Sequence, residues 1–78
     1  MKLPRGVSGD KLIRALEQIG YTRVRQKGRH VRLQYAGPPA HFVTVPLHSP
    51  LKTGTLHSIL AEVALMRSIT TESLVQRL

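Results

Sequence analysis

The sequence predicts an α+β fold in which a helix, three antiparallel strands and a second helix follow one another, with a short third helix at the C-terminal end. Three observations predict it. Apolar residues recur at helical spacing over residues 12–19 and again over 56–63, the period between them changes to two, and turn residues cut the alternating stretch into three. Two helices then cover one face of the sheet and leave the other to solvent.

Met1 to Val7, with Pro4 and Gly6, reads as an extended lead-in. Ser8 is placed to cap the first helix, because its side-chain oxygen can accept an N–H of the first turn, and Asp10 faces the positive end of the helix dipole. Leu12, Ile13, Leu16 and Ile19 form the apolar stripe, and Gly20 stands where a left-handed C-terminal cap is wanted. From Tyr21 onward Thr22, Val24 and Gln26 alternate against Tyr21, Arg23, Arg25 and Lys27, which predicts a strand with a basic face. Gly28 permits a turn. The next strand sets Val31, Leu33 and Tyr35 against His30, Arg32 and Gln34, so His30 and Arg32 share the open side if the first set faces the core.

Ala36 to Ala40 is turn chemistry: Pro38 and Pro39 cannot donate to a ladder, and Gly37 tolerates positive φ. His41 to Val45 gives a third strand with Val43 and Val45 on one face, stopped by Pro46. Leu47 to Lys52 is a loop around Pro50, and Lys52 or Thr53 opens a helix whose stripe is Leu56, Ile59, Leu60 and Val63. Thr70 caps the short third helix, with Ile69 stapled to Leu74.

At 78 residues the chain is expected to form one domain over 1–78, with its core at about 3–65 and a helical tail at 66–78. A chain of this size buries only roughly 60% of its unfolded surface, so any site should be a shallow groove, which suits a polymer. Twelve Lys and Arg against four Asp and Glu give a net charge of +8, which favours an anionic partner. With no cysteine, a disulfide framework and Cys-based zinc sites are excluded. The spacings of His41, His48 and His57 match no compact ligand motif, so neither a metal nor a small-molecule cofactor is expected. No apolar run approaches the roughly 20 residues of a membrane span, and the first residues lack the apolar stretch of a signal peptide. A cytoplasmic protein with no membrane role is expected.

The chemistry concentrates in Arg23 to Arg32, where His30 stands among five cationic side chains. Arg and Lys attract a polyanion and stabilise charge on a phosphoryl oxygen, while imidazole takes and gives protons near neutrality. That pairing points to phosphodiester chemistry. Its bland alternative is a solvated strand carrying solubilising charge. Lys52 with Gly54 and Thr55 at a helix start offers a cation and backbone N–H groups to a phosphate, or a plain helix start. Tyr21 and Tyr35 read as the edge of the core rather than a base-stacking platform.

Several short motifs in order carry a resemblance: Leu3-Pro4-Arg5 with Val7-Ser8-Gly9, Arg25-Gln26-Lys27-Gly28 ending in His30, Val45-Pro46 with His48, and Lys52-Thr53-Gly54-Thr55-Leu56 with Ser58-Ile59-Leu60. Over roughly residues 3–65 the chain resembles the HicA toxins. The resemblance implies a double-stranded-RNA-binding-domain-like fold, messenger-RNA endoribonuclease activity that arrests growth, and neutralisation by a HicB-type antitoxin. It also places the family's catalytic histidine on His30. Many members read Gly-Ser-His where this chain reads Gly28-Arg29-His30, which leaves the fine geometry of the site open.

The expectation is therefore a metal-independent mRNA interferase, with His30 as general acid and base. Its RNA track runs over Arg23, Arg25, Lys27, Gly28, Arg29 and Arg32, with Lys52 and His48 beside it, although His48 serves equally well to fix the loop before the second helix. The competing expectation is a non-catalytic RNA-binding module, which the same basic face would serve.

Overall fold

A computed structural model of the chain describes residues 3–78, so Met1 and Lys2 of the expected lead-in lie outside the described residues. Helix α1 spans Gly9–Gln18, strands β1, β2 and β3 span Tyr21–Lys27, His30–Tyr35 and His41–Pro46, and helices α2 and α3 span Thr53–Arg67 and Thr71–Val75. The strands form one antiparallel sheet in the order β1-β2-β3. This is the α+β, double-stranded-RNA-binding-domain-like arrangement.

The expected caps form. Ser8 Oγ accepts the Lys11 N–H at 3.1 Å and Thr70 Oγ1 accepts that of Ser73 at 3.1 Å, each satisfying one orphan donor of its helix. Gly20 takes φ +102 just past α1, as a left-handed C-terminal cap requires. Helix α2 starts from Lys52 with no side-chain cap and ends on Ser68 in the left-handed region. In α3 Leu74 is buried at 1%, whereas Ile69 is left exposed, so the anchoring of this helix comes from Leu74 in the common core rather than from an enclosed staple.

The core lies between the sheet and the helices. Leu12, Ile13 and Leu16 of α1 meet Leu56, Ile59, Leu60 and Val63 of α2 over Val31, Leu33, Val43 and Val45 of the sheet. Each such side chain contributes about 1.5–3 kcal/mol when taken out of water. No polar or charged residue is buried among them. The lead-in is held to the loop before α2: Leu51 donates to the Val7 carbonyl at 2.8 Å and Gly9 to that of His48 at 2.9 Å. A side chain at Gly9 would run into the Pro46 carbonyl, so this contact admits only glycine.

One expectation fails in β1. Strict alternation places Tyr21, Arg23, Arg25 and Lys27 on one face, but the pairing with β2 slips between Arg23 and Arg25. Val24 is the extra residue of a β-bulge and is 46% exposed. Tyr21, opposite Tyr35, and Arg23, opposite Leu33, consequently face the helices, while Arg25, opposite Arg32, and Lys27, opposite His30, face the open side. The physical reason is that Tyr21 gains by burial and Lys27 does not; without the bulge both would share one face.

Candidate functional site

The register arranges the open face in three rows. Lys27, His30 and Pro46 form one, Arg25, Arg32 and Thr44 the next, and Thr22, Gln34 and Phe42 the third. Directly opposed residues hold their Cβ atoms about 4.5–5.5 Å apart. Arg25 therefore stands against Arg32, and Lys27 against His30, all with exposed side chains. The like charges of Arg25 and Arg32 so opposed cost stability. No carboxylate on this face relieves them, because Asp10, Glu17, Glu62 and Glu72, the only acidic residues, all lie on the helices. An anion laid on the face would.

Arg25, Lys27, His30, Arg32 and Thr44 line an open hollow of about 240 Å³. A second hollow of about 530 Å³ lies where β3 meets the start of α2, lined by Thr44, Lys52, Thr55 and Ser58 among others. Thr44 is common to both, so one trough runs from the β1–β2 hairpin over β3 to the first turn of α2.

The structure thus brings together Arg25, Lys27, His30 and Arg32, and puts Lys52 at the far end of the trough. His30 opens β2 directly after a tight turn in which Gly28 takes φ +56. Its ring makes no hydrogen bond among the described residues, which leaves both nitrogens available to a ligand. Arg29 occupies the other turn position, outside both hollows, and its carbonyl accepts the Leu47 N–H at 2.6 Å. A side chain larger than serine is therefore accommodated there without entering the His30 hollow.

Of the other expected site residues, Gly28 and Arg29 form the turn beside the His30 hollow without lining it, and Arg23 and His48 are engaged elsewhere. Arg23 turns to α1, 3.3 Å from Glu17 and 3.7 Å from Asp10, so its charge is partly neutralised within the fold. His48 lines neither hollow, and its carbonyl receives the Gly9 N–H, the loop-fixing alternative. Sequence reading missed Thr44 and Phe42. The signal was there: placing Val43 and Val45 inward turns Phe42 and Thr44 to the open face.

His41 is engaged in a different way. Its Nδ1 lies 2.7 Å from the Pro39 carbonyl, which can only accept, so Nδ1 carries the hydrogen and Nε2 accepts from the Tyr21 hydroxyl at 2.6 Å. Arg67 completes this cluster, its guanidinium carbon 3.7 Å from the Tyr35 ring centroid and its Nη1 donating to the Ile19 carbonyl at 2.6 Å. A cation at the C-terminal end of α1 also suits the helix dipole. Burial raises the Tyr21 hydroxyl above its ordinary pKa, with Arg67 pulling the other way. Tyr21 and Tyr35 thus belong to the edge of the core.

No curated protein and no solved structure matches this chain. The family model described as the HicA toxin of bacterial toxin–antitoxin systems matches residues 9–65, from the first residue of α1 to near the end of α2. The match takes in the whole sheet, the His30 hollow and the Lys52 end of the trough. The chain belongs to the HicA family, the toxins of bacterial toxin–antitoxin systems, and a cognate antitoxin is its implied partner.

Proposed function

We propose that the protein is a metal-independent endoribonuclease acting on messenger RNA, with His30 as its acid–base group, and that a HicB-type antitoxin silences it by covering the basic face. The observation that carries this reading is an imidazole with no internal partner, set among Arg25, Lys27 and Arg32 on a face free of carboxylates. RNA supplies its own nucleophile. His30 takes the proton of a 2′-hydroxyl, the 2′-oxygen attacks the adjacent phosphorus, and the bond from phosphorus to the 5′-oxygen breaks as that oxygen receives a proton. The strand ends left behind are a 2′,3′-cyclic phosphate and a 5′-hydroxyl. Arg25, Lys27 and Arg32 stabilise the charge that gathers on the phosphoryl oxygens. With one imidazole serving as both base and acid, turnover is slow.

The test is a gel assay of the purified protein and its His30→Ala form on long single-stranded RNA in excess EDTA. Cleavage by the parent, reduced by about 10²–10⁴-fold in the variant, is expected of a group that carries proton transfer. Salt-sensitive binding by both forms with intact RNA would instead select the non-catalytic RNA-binding module. The same basic face serves the antitoxin, whose contacting surface is expected to present carboxylates to Arg25, Lys27 and Arg32.

A further inference from the structure

We propose that Phe42, braced by Arg32, is a stacking platform for a nucleobase of single-stranded RNA, at a nucleotide flanking the one whose phosphodiester meets His30. The proposal rests on the reading of this face as an RNA site. Phe42 is the one phenylalanine of the chain, and it is not in the core: it is 46% exposed while its neighbour Val43 is buried. Its surroundings on the open face are Gln34 directly opposite, Thr44 two residues on, and Arg32. The Arg32 guanidinium carbon lies 4.1 Å from the ring centroid, within range of a cation–π contact.

The ring therefore has a cationic brace and an uncovered surface, and stands outside the hydrophobic core. Flat π surfaces on a β-sheet are the means by which single-stranded RNA is gripped through its bases, on aromatic rings and on guanidinium planes alike. Arg32 also lines the His30 hollow, so one side chain links the phosphate site to the ring. Phe42 stands four positions along the paired strands from His30, about 14 Å at the rise of a strand, too far for one nucleotide to touch both. The stacked base consequently belongs to a neighbouring nucleotide, and holding it fixes where along the strand the phosphate meets His30.

The experiment measures fluorescence anisotropy of a short, labelled, mixed-sequence single-stranded RNA, with His30→Ala as the background so that the RNA stays uncut. Adding Phe42→Ala is expected to weaken binding roughly 5- to 150-fold, the worth of one base–aromatic stack. Phe42→Tyr should restore most of the loss. The same RNA carrying a single abasic nucleotide, moved along the strand, should show no Phe42→Ala penalty when the gap falls at the stacked position. Circular dichroism reports whether Phe42→Ala folds. If it does not, Phe42→Leu compared with Phe42→Tyr gives the same discrimination, since leucine keeps bulk without a π face. Equal binding by the leucine and tyrosine forms, or an unchanged affinity of Phe42→Ala, would overturn the platform while leaving His30-dependent cleavage standing. Loss of antitoxin binding with RNA affinity intact would overturn it too, in favour of a protein contact. If the parent neither binds nor cuts RNA, the RNA reading of the face fails first and the platform with it.

Discussion

Three histidines have three different surroundings. His30 has a free ring beside Arg25, Lys27 and Arg32, His41 spends both nitrogens on Pro39 and Tyr21, and His48 offers its backbone carbonyl to Gly9. What each imidazole can do depends on which of its nitrogens the fold has already used. Tyr21 gives this a measurable consequence. Its pKa is raised in the folded protein by burial, so the folded form holds the hydroxyl proton more tightly than the unfolded chain. The associated stability is complete below the unfolded value, near pH 10, and is lost as pH rises through the higher folded value. Tyr21→Phe should remove that component of the alkaline loss, read by chemical denaturation at a series of pH values. It should also lower stability by about 0.5–1.5 kcal/mol at pH 7, from the lost hydrogen bond to His41.

At the scale of elements, β1 shows how one residue divides a core-facing half from a half that faces the open side. Its first part must present Tyr21 to the core and its last part must present Arg25 and Lys27 to the open face, which strict period two forbids. The bulge at Val24 reconciles them. Deleting Val24 would join the two halves in one regular register, with Tyr21 still inward and Lys27 still on the open face. The deletion is therefore expected to keep the denaturation midpoint and RNA binding close to the parent's, measured on one preparation, because Val24 is exposed and pairs with nothing on β2. A fall in both would show that the local bend and twist of the bulge, and not only the placement of Tyr21 and Lys27, is needed.

For the whole molecule, charge is segregated. The carboxylates lie on the helical layer and the open face carries unopposed cations. Arg25, Lys27, Arg32 and Lys52 line the trough, and at roughly −0.7 per phosphate neutralised on a single strand, log affinity should fall against log salt with a slope of about −2.8. The double change Arg25→Gln, Arg32→Gln should flatten that slope by about 1.4. Arg23→Gln should leave it nearly unchanged, because Arg23 is engaged by Glu17 and Asp10, and its exposed ion pairs should cost only about 0.2–1 kcal/mol of stability. A fall in slope for Arg23→Gln as large as for Arg25→Gln would mean that the helix-side cations belong to the ligand surface as well.

The sequence by itself determined the elements, their order and the inward-facing residues, since caps, turn glycines and hydrophobic period act over a few neighbouring residues. Ser8, Thr70, Gly20, and the set Val31, Leu33, Val43 and Val45 are where local chemistry requires them. It also placed His30 and Arg32 on the open side together. What only the tertiary structure decided depends on how strands align with each other. The slip at Val24, the diversion of Arg23 to α1, the joining of two hollows at Thr44 and the ring of Phe42 beside Arg32 all follow from register across strands. Register is a contest between burying Tyr21 and exposing Lys27, and that contest is settled by the packed core rather than by any stretch of sequence read alone.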